Sequence, residues 1–198
     1  MSLVERAKNI ILTPKSEWPV IDKEQTTTGG LYTGYIIPLA AIGPIAQIIG
    51  WSVIGMSLPF VGSFRMPIGY AVRAGVIAYV ASLVGTFVLA LIIDALAPTF
   101  GGQKNQMQAL KVAAYSSTAA WVAGIFSLFP PLAILGLLGL YSLYLLFLGL
   151  PVLMKAPEDK AMGYTVVVII CALVLWIIIA TITRQFMWRP TGMGLPGM

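Results

Sequence analysis

The sequence predicts an all-α fold: a polytopic membrane helix bundle with five transmembrane helices and an N-terminal amphipathic helix. Three observations predict it. Val112 through Met154 contains no Asp, Glu, Lys, Arg or His. As one helix, at about 1.5 Å per residue, that run would cover roughly twice the ~30 Å of hydrocarbon in a bilayer. Pro130-Pro131 near its middle removes two backbone donors and disfavours helix just before them, which divides the run into two spans joined by a tight turn. Across all 198 residues, 59% are hydrophobic and 10% charged, with mean hydropathy +0.91. A soluble domain of this size cannot hide that much apolar surface.

The elements follow in order. Residues 1–30 form an arm with four acidic and four basic side chains. Ser2 and Glu5 have capping-box spacing. Leu3, Ala7, Ile10 and Ile11 then recur at helical spacing, so a short amphipathic helix runs to about Leu12, where Pro14 ends it. Its apolar stripe either lies among lipid headgroups or packs on the protein's own helices. Trp18, with Ile10 and Ile11, is the candidate interfacial anchor, because an indole has an apolar body and a polar edge. Residues 31–183 hold the five spans: Leu31 to Leu58, kinked by Pro38 and Pro44; Ile68 to Ala97; Gln108 to Phe129; Leu132 to Met154; and Ala161 to Thr183. Residues 184–198, rich in Pro and Gly, are read as a loosely ordered tail. No internal repeat is evident, so an inverted-repeat transporter architecture has no support.

Charge supplies topology and excludes several functions. One side of the five-span arrangement receives Arg6, Lys8, Lys15, Lys23, Lys104, Lys111, Lys155 and Lys160. The other receives Arg65, Arg73, Arg184 and Arg189. The positive-inside rule puts the N-terminus in the cytoplasm and the C-terminus on the opposite side. With no apolar signal core at the N-terminus, the first span is expected to direct insertion. No basic cluster interleaves with aromatics, so no nucleic-acid partner is expected. The chain has no His and one Cys, Cys171. That removes the commonest general base and metal ligand, and with it any intramolecular disulfide. No metal or cofactor is expected. No nucleophile-base pair and no phosphate-cradling Gly-Lys-Ser/Thr motif is present, which makes an enzyme the least supported class.

The candidate intramembrane polar site comprises Asp94, Lys111, Tyr115, Ser116, Tyr141 and Tyr144. Asp94 lies near the C-terminal end of the second span and Lys111 near the N-terminal start of the third, each at the unfavourable end of its own helix dipole. A short loop brings the two ends to one face, where they could neutralise each other. The pair is either structural, with snorkelling side chains, or a site for a headgroup, ion or partner. Arg73 sits on the opposite face, placed to snorkel toward phosphates. Tyr115, Ser116, Ser117 and Thr118 in the third span, and Tyr141, Ser142 and Tyr144 in the fourth, are helix-helix glue or a polar pathway.

Three ordered blocks resemble a known family. They are Ile11-Leu12-Thr13-Pro14-Lys15-Ser16-Glu17-Trp18-Pro19-Val20-Ile21; Ala97-Pro98-Thr99-Phe100-Gly101-Gly102 followed by Gln108-Ala109-Leu110-Lys111-Val112-Ala113-Ala114-Tyr115-Ser116-Ser117-Thr118; and Gly139-Leu140-Tyr141-Ser142-Leu143-Tyr144-Leu145 through Gly149-Leu150-Pro151 to Tyr164. Together they resemble the Yip-domain family of five-span integral membrane proteins, in its prokaryotic branch. The resemblance implies a cytosolic N-terminus. It links the eukaryotic members to vesicle traffic and Rab-type GTPases, although this chain lacks their Asp-Leu-Tyr-Gly-Pro stretch. It supplies no catalytic residue. The leading expectation is a non-enzymatic membrane-organising or adaptor protein of a prokaryotic cytoplasmic membrane. Its partners would be membrane lipids and a membrane protein or a second copy. On that reading, deleting residues 1–24 should abolish function and leave the spans folded. The alternative is a small permease, channel or lipid-moving protein using the polar groups of the second to fourth spans.

Overall fold

The computed structural model describes residues 1–58 and 62–187. Two short helices open the chain, α1 (Leu3–Leu12) and α2 (Pro14–Lys23). Ser2 and Glu5 close the capping box over α1. Pro14 both ends α1 and starts α2, because the first helical position needs no N–H and the fixed φ of proline suits it. The sequence reading took Pro14 as a terminator alone and so missed α2.

The next segment, α3, is Thr28–Ile54. The Thr27 hydroxyl accepts the Gly30 N–H at 3.1 Å and caps it. Pro38 and Pro44 cannot donate to carbonyls four residues back, and their rings crowd them. The helix answers with a π turn over Tyr32–Ile36 and a break at Ala41, and it widens again over Gly50–Ile54. The Ile37 carbonyl then accepts the Tyr79 hydroxyl at 3.2 Å, while Tyr32 donates to the Leu83 carbonyl at 2.9 Å. The helix stops at Gly55, whose φ is +77°. Met56–Leu58 (β1) and Gly62–Phe64 (β2) pair antiparallel, with Met56 opposite Phe64. The expected first span to Leu58 is thus corrected to end at Ile54, and the otherwise helical fold carries one small ribbon.

Beyond the ribbon, α4 (Ile68–Leu96) continues as a 3-10 turn, Ala97–Phe100, closed by Gly101 in the left-handed region. The third expected span becomes α5 (Gln106–Ser116), α6 (Thr118–Ala123) and a 3-10 stretch, Gly124–Leu128. After the extended Phe129 comes a second 3-10 helix, Pro130–Leu140, which passes into α7 (Tyr141–Met154). The last helix, α8, is Glu158–Met187, with Glu158 and Asp159 complementing the dipole in its first turn. It runs four residues beyond the expected end at Thr183. The rest of the expected tail, 188–198, lies outside the described residues.

Four segments among the described residues are long and apolar enough to cross a membrane: Thr28–Ile54, Ile68–Phe100, Pro130–Met154 and Glu158–Thr181. The segment from Gln106 to Leu128 is not one of them, since it breaks at Ser117 and passes into a 3-10 stretch at Gly124, so none of its pieces is a long continuous helix. It forms the centre of the bundle instead. Every residue from Ala109 to Ser116 is buried, with α4 and α7 packed on either side. It also lies along α3 from end to end. The hydroxyls of Tyr35 and Thr118 are 2.7 Å apart. Gly43 faces Gly124, and Gly50 faces Ser127 and Leu128. A β-carbon on Gly50 would lie 2.1 Å from the Ser127 carbonyl oxygen, so the backbones meet where a side chain cannot fit. Apolar side chains such as Val76, Val80, Val84, Ile134, Leu137 and Ile177 are more than half exposed, as a hydrocarbon surrounding permits.

Candidate functional site

The arm does not lie apart from the bundle. Ile10, Trp18 and Ile21 are wholly buried in the same core as α5 and α7. Trp18 stands edge-on to Tyr115, with ring centroids 6.4 Å apart. Its indole rests against Gly149 of α7, where a β-carbon would come within 2.9 Å of three ring atoms. Of the proposed anchors, Trp18 and Ile10 therefore meet protein on every side, and Ile11 is partly buried against the same core. Packing on the protein's own helices is the geometry these side chains adopt, and lipid headgroups do not reach the first two.

Polar contacts fix this docking. Arg6 is buried between Glu17 and Glu24, paired with both, and its guanidinium lies 5.8 Å from the centre of the Tyr115 ring. Lys111 extends from α5 to the end of α2. Its Nζ donates to the Ile21 carbonyl at 2.9 Å and the Glu24 carbonyl at 2.5 Å. Gln108 Nε2 donates to the Asp22 carbonyl and to its Oδ1, both at 3.0 Å. Lys155, just past α7, pairs with Asp22 Oδ2 at 2.5 Å. The last turn of any helix leaves carbonyls without intrahelical donors, and it favours cations. Lys111 is misplaced for the dipole of its own helix but correctly placed for that of α2. Tyr141 completes the dock by donating to the Ile11 carbonyl of α1 at 3.0 Å.

The candidate polar residues separate into three groups. Lys111, Tyr115 and Tyr141 all touch the arm. Ser116 donates to the Ala113 carbonyl within its own helix at 3.3 Å, and the ring of Tyr144 lies against Tyr141 at 5.4 Å. Asp94 stands apart: among the described residues it forms no ion pair with Lys111, and its Oδ1 is buried without a hydrogen-bond donor. Adjacent helix ends did not suffice to pair them, because Lys111 points toward the arm. Sequence reasoning missed Arg6, Glu17, Asp22, Glu24, Gln108 and Lys155 as members of the site. The usable signal was Thr13-Pro14 as a helix start, with Glu17 in the first turn and Lys23 in the last, which would have placed Asp22 and Glu24 at a helix end needing donors.

Beside the dock lies a cavity of about 220 Å³, lined by Arg6, Glu24, Thr26, Gly30, Tyr35 and Tyr115 among others. A larger apolar groove of about 610 Å³ lies between α4, the α5–α6 break and α8. Among the described residues, no group of three or more His, Cys, Asp or Glu side chains could hold a metal ion.

Apolar helices around a buried central helix, closed at one end by a docked polar arm, define a polytopic membrane protein. Residues 8–179 match the Yip1 domain, and the chain belongs to that family. The Yip1 family is not known as enzymatic. No curated protein and no solved structure matches the chain.

Proposed function

We propose that this Yip1-family protein has a non-enzymatic membrane-organising or adaptor role at the cytoplasmic face, with the docked arm as its working surface. One observation carries the reading: the arm is held as part of the fold while its outer face stays exposed. Lys8, Lys15 and Lys23 are exposed on the arm, as are Val4, Leu12 and Val20, and so is the carboxylate-bearing Glu5. Fixed cations interspersed with apolar side chains suit an acidic partner or an anionic lipid surface. The end-to-end alignment of Gln106–Leu128 with Thr28–Ile54 supports a fifth crossing by the central segment, shielded from lipid by its neighbours. With five crossings, the positive-inside rule favours a cytoplasmic N-terminus and a C-terminus on the other side, and the prokaryotic cytoplasmic membrane is the setting that the resemblance implies.

Deleting residues 1–24 would not leave the spans folded as expected, because it would strip Ile10, Trp18 and Ile21 from the core. The sound test is charge reversal of Lys8, Lys15 and Lys23 to Glu, all three exposed. The expected result is an unchanged melting temperature with loss of function in the cell, measured as failure to complement a deletion strain. Full complementation by the folded variant overturns the reading.

The permease or lipid-moving alternative has less support. Ser116, Ser117 and Tyr141 hydrogen-bond to backbone carbonyls, and Ser142 accepts the Ala120 N–H at 3.0 Å. Tyr141 and Ser142 bond between elements and act as glue, while Ser116 and Ser117 are satisfied within their own helix, so none of the four lines a wet path. Flux of ions, small solutes or labelled lipid through sealed proteoliposomes, reduced by Asp94→Asn, would reverse that preference.

A further inference from the structure

The corner between α1 and α2 lies far down the side of the bundle. Asp22 pairs with Lys155 just past the end of α7, Trp18 rests on Gly149, and the Ile11 carbonyl accepts the Tyr141 hydroxyl at 3.0 Å. Following the arm backward from Asp22 to Ile11 thus follows α7 backward from its end to its start. Tyr141 is 13 residues before Met154, or about 20 Å along the axis. α1 then returns from the corner, since Arg6 meets Glu17 and Glu24. The central segment agrees. The end of α2 meets Lys111, whereas α1 touches α6, at least seven residues and about 10 Å farther along. The two helices form a hairpin whose closed end, Leu12 to Ser16, points along the spans.

The depth of that closed end follows from α4. No charged residue stands between Arg73 and Asp94. Their separation along the helix is about 32 Å, close to the ~30 Å of hydrocarbon in a bilayer. Asp94 therefore marks the boundary on the arm side. Met154 stands just outside it. The Met154 carbonyl accepts the Gln103 N–H at 2.7 Å, and the adjoining Gly102 N–H is held by the Ala97 carbonyl at 2.8 Å. Ala97 is about 5 Å beyond Asp94. The corner, about 20 Å back from Met154, then lies on the order of 10–15 Å inside the boundary.

The chemistry of the corner suits that depth, where polar backbone groups need partners within the protein. The Thr13 carbonyl accepts the Ser16 and Glu17 N–H groups at 3.2 and 3.1 Å and the Ser16 hydroxyl at 3.0 Å. The Thr13 N–H and hydroxyl both donate to the Asn9 carbonyl, at 2.8 and 3.1 Å. Pro14 has no N–H to satisfy. Leu12 is 66% exposed at the tip. Lys8 and Lys15 are exposed near it, on stems long enough to carry their ammonium groups back toward phosphates. Exposed Glu5 is seven residues, or about 10 Å, farther from the tip. A soluble acidic partner does not reach a corner surrounded by acyl chains.

We propose that the α1–α2 corner is a wedge inserted in the arm-side leaflet, with Leu12 among acyl chains and Lys8 and Lys15 on the phosphates of anionic phospholipid. The proposal rests on the reading of the arm as the working surface and names lipid as what that surface meets.

The test uses the full chain carrying Cys171→Ser, with a fluorescent label on Leu12→Cys, in vesicles of phosphatidylethanolamine and phosphatidylglycerol. Gln25→Cys, exposed beyond the other end of α2, is the control. A nitroxide on the phospholipid tail should quench position 12 roughly three-fold more than position 25, and aqueous iodide should show the reverse order. A nitroxide carried by phosphatidylglycerol should quench position 12 roughly two-fold more than one carried by phosphatidylcholine, and Lys8→Glu with Lys15→Glu should remove that preference. Iodide access at 12 equal to that at 25 overturns the proposal, and so does a label at 12 that neither quencher reaches, which would mean a protein cover. Equal quenching by the two lipids overturns the assignment of Lys8 and Lys15. If the labelled variant fails to fold, a diazirine-bearing phospholipid tail on the unmodified chain decides, with adducts on Leu12–Ser16 expected and their absence overturning the wedge. These readouts need no partner, so their failure leaves the adaptor role to a soluble acidic protein, whereas full complementation by the charge-reversed arm removes that role and leaves the measured depth intact.

Discussion

The two halves of the segment Pro130–Met154 are alike in hydropathy and unlike in structure. From Pro130 to Leu140 the chain is a 3-10 helix, and nearly every side chain is exposed. From Tyr141 to Met154 it is an α-helix that buries Leu145, Leu146, Gly149, Leu150, Leu153 and Met154. The α-helical half has the arm against it, through Trp18, and α5 beside it. The 3-10 half touches α6 and the 3-10 stretch before it, and elsewhere faces outward. Hydropathy therefore identifies the medium a segment tolerates, whereas the partner decides how it is wound and what it buries. The arm end of this protein supplies its own cover; the far end leaves that to lipid.

The sharpest way to break the contrast is to remove the piece that covers α7. Trp18→Ala deletes a wholly buried indole from between Tyr115 and Gly149. Loss of a buried aromatic side chain of this size costs roughly 3–5 kcal/mol. The expected outcome in detergent is a large fall in melting temperature, with new proteolytic cleavage in residues 1–30. A variant that melts like wild type would mean that the arm is not part of the core.

Next in size is Lys111→Met, which keeps the length of the side chain and removes its donors. The Ile21 and Glu24 carbonyls then lose a charged partner, at a cost of about 2–4 kcal/mol. Cleavage should appear first near the end of α2, ahead of any change in the spans. Uniform loosening of the whole bundle would instead place Lys111 among the determinants of global packing.

Much of the architecture was legible, and what was not has physical causes. Helix positions followed from apolar runs, from prolines and from the Ser2–Glu5 capping box, all local signals. The docked arm was not legible, because the pairing of Arg6 with Glu17 and the reach of Lys111 to Ile21 depend on how distant segments meet. Hydropathy likewise gave the third span no rank among the five, whereas α5 is buried from Ala109 to Ser116 and can carry a lysine for that reason. The 3-10 winding did leave a trace: Pro130, Ala133, Gly136 and Gly139 recur every third residue, the 3-10 period, and two of them meet neighbours. Pro130 is buried, and a β-carbon on Gly139 would stand 3.1 Å from the Ala120 α-carbon.

The same substitution in each half sharpens the comparison most cleanly. In Gly149→Ala the new methyl group falls within 2.9 Å of the Trp18 ring, which must shift or tilt. Overpacking of this kind costs about 1–3 kcal/mol. In Gly136→Ala the methyl group meets nothing within 4 Å. Replacing a helical glycine in open space removes backbone freedom from the unfolded chain, so this variant should be unchanged or up to about 1 kcal/mol more stable. Melting curves of the two variants, taken in one detergent, should therefore move in opposite directions or at least separate clearly. Equal destabilisation by both would show that the Pro130–Leu140 half has a close neighbour after all, such as a second copy of the chain. Cross-linking from that face would then identify it.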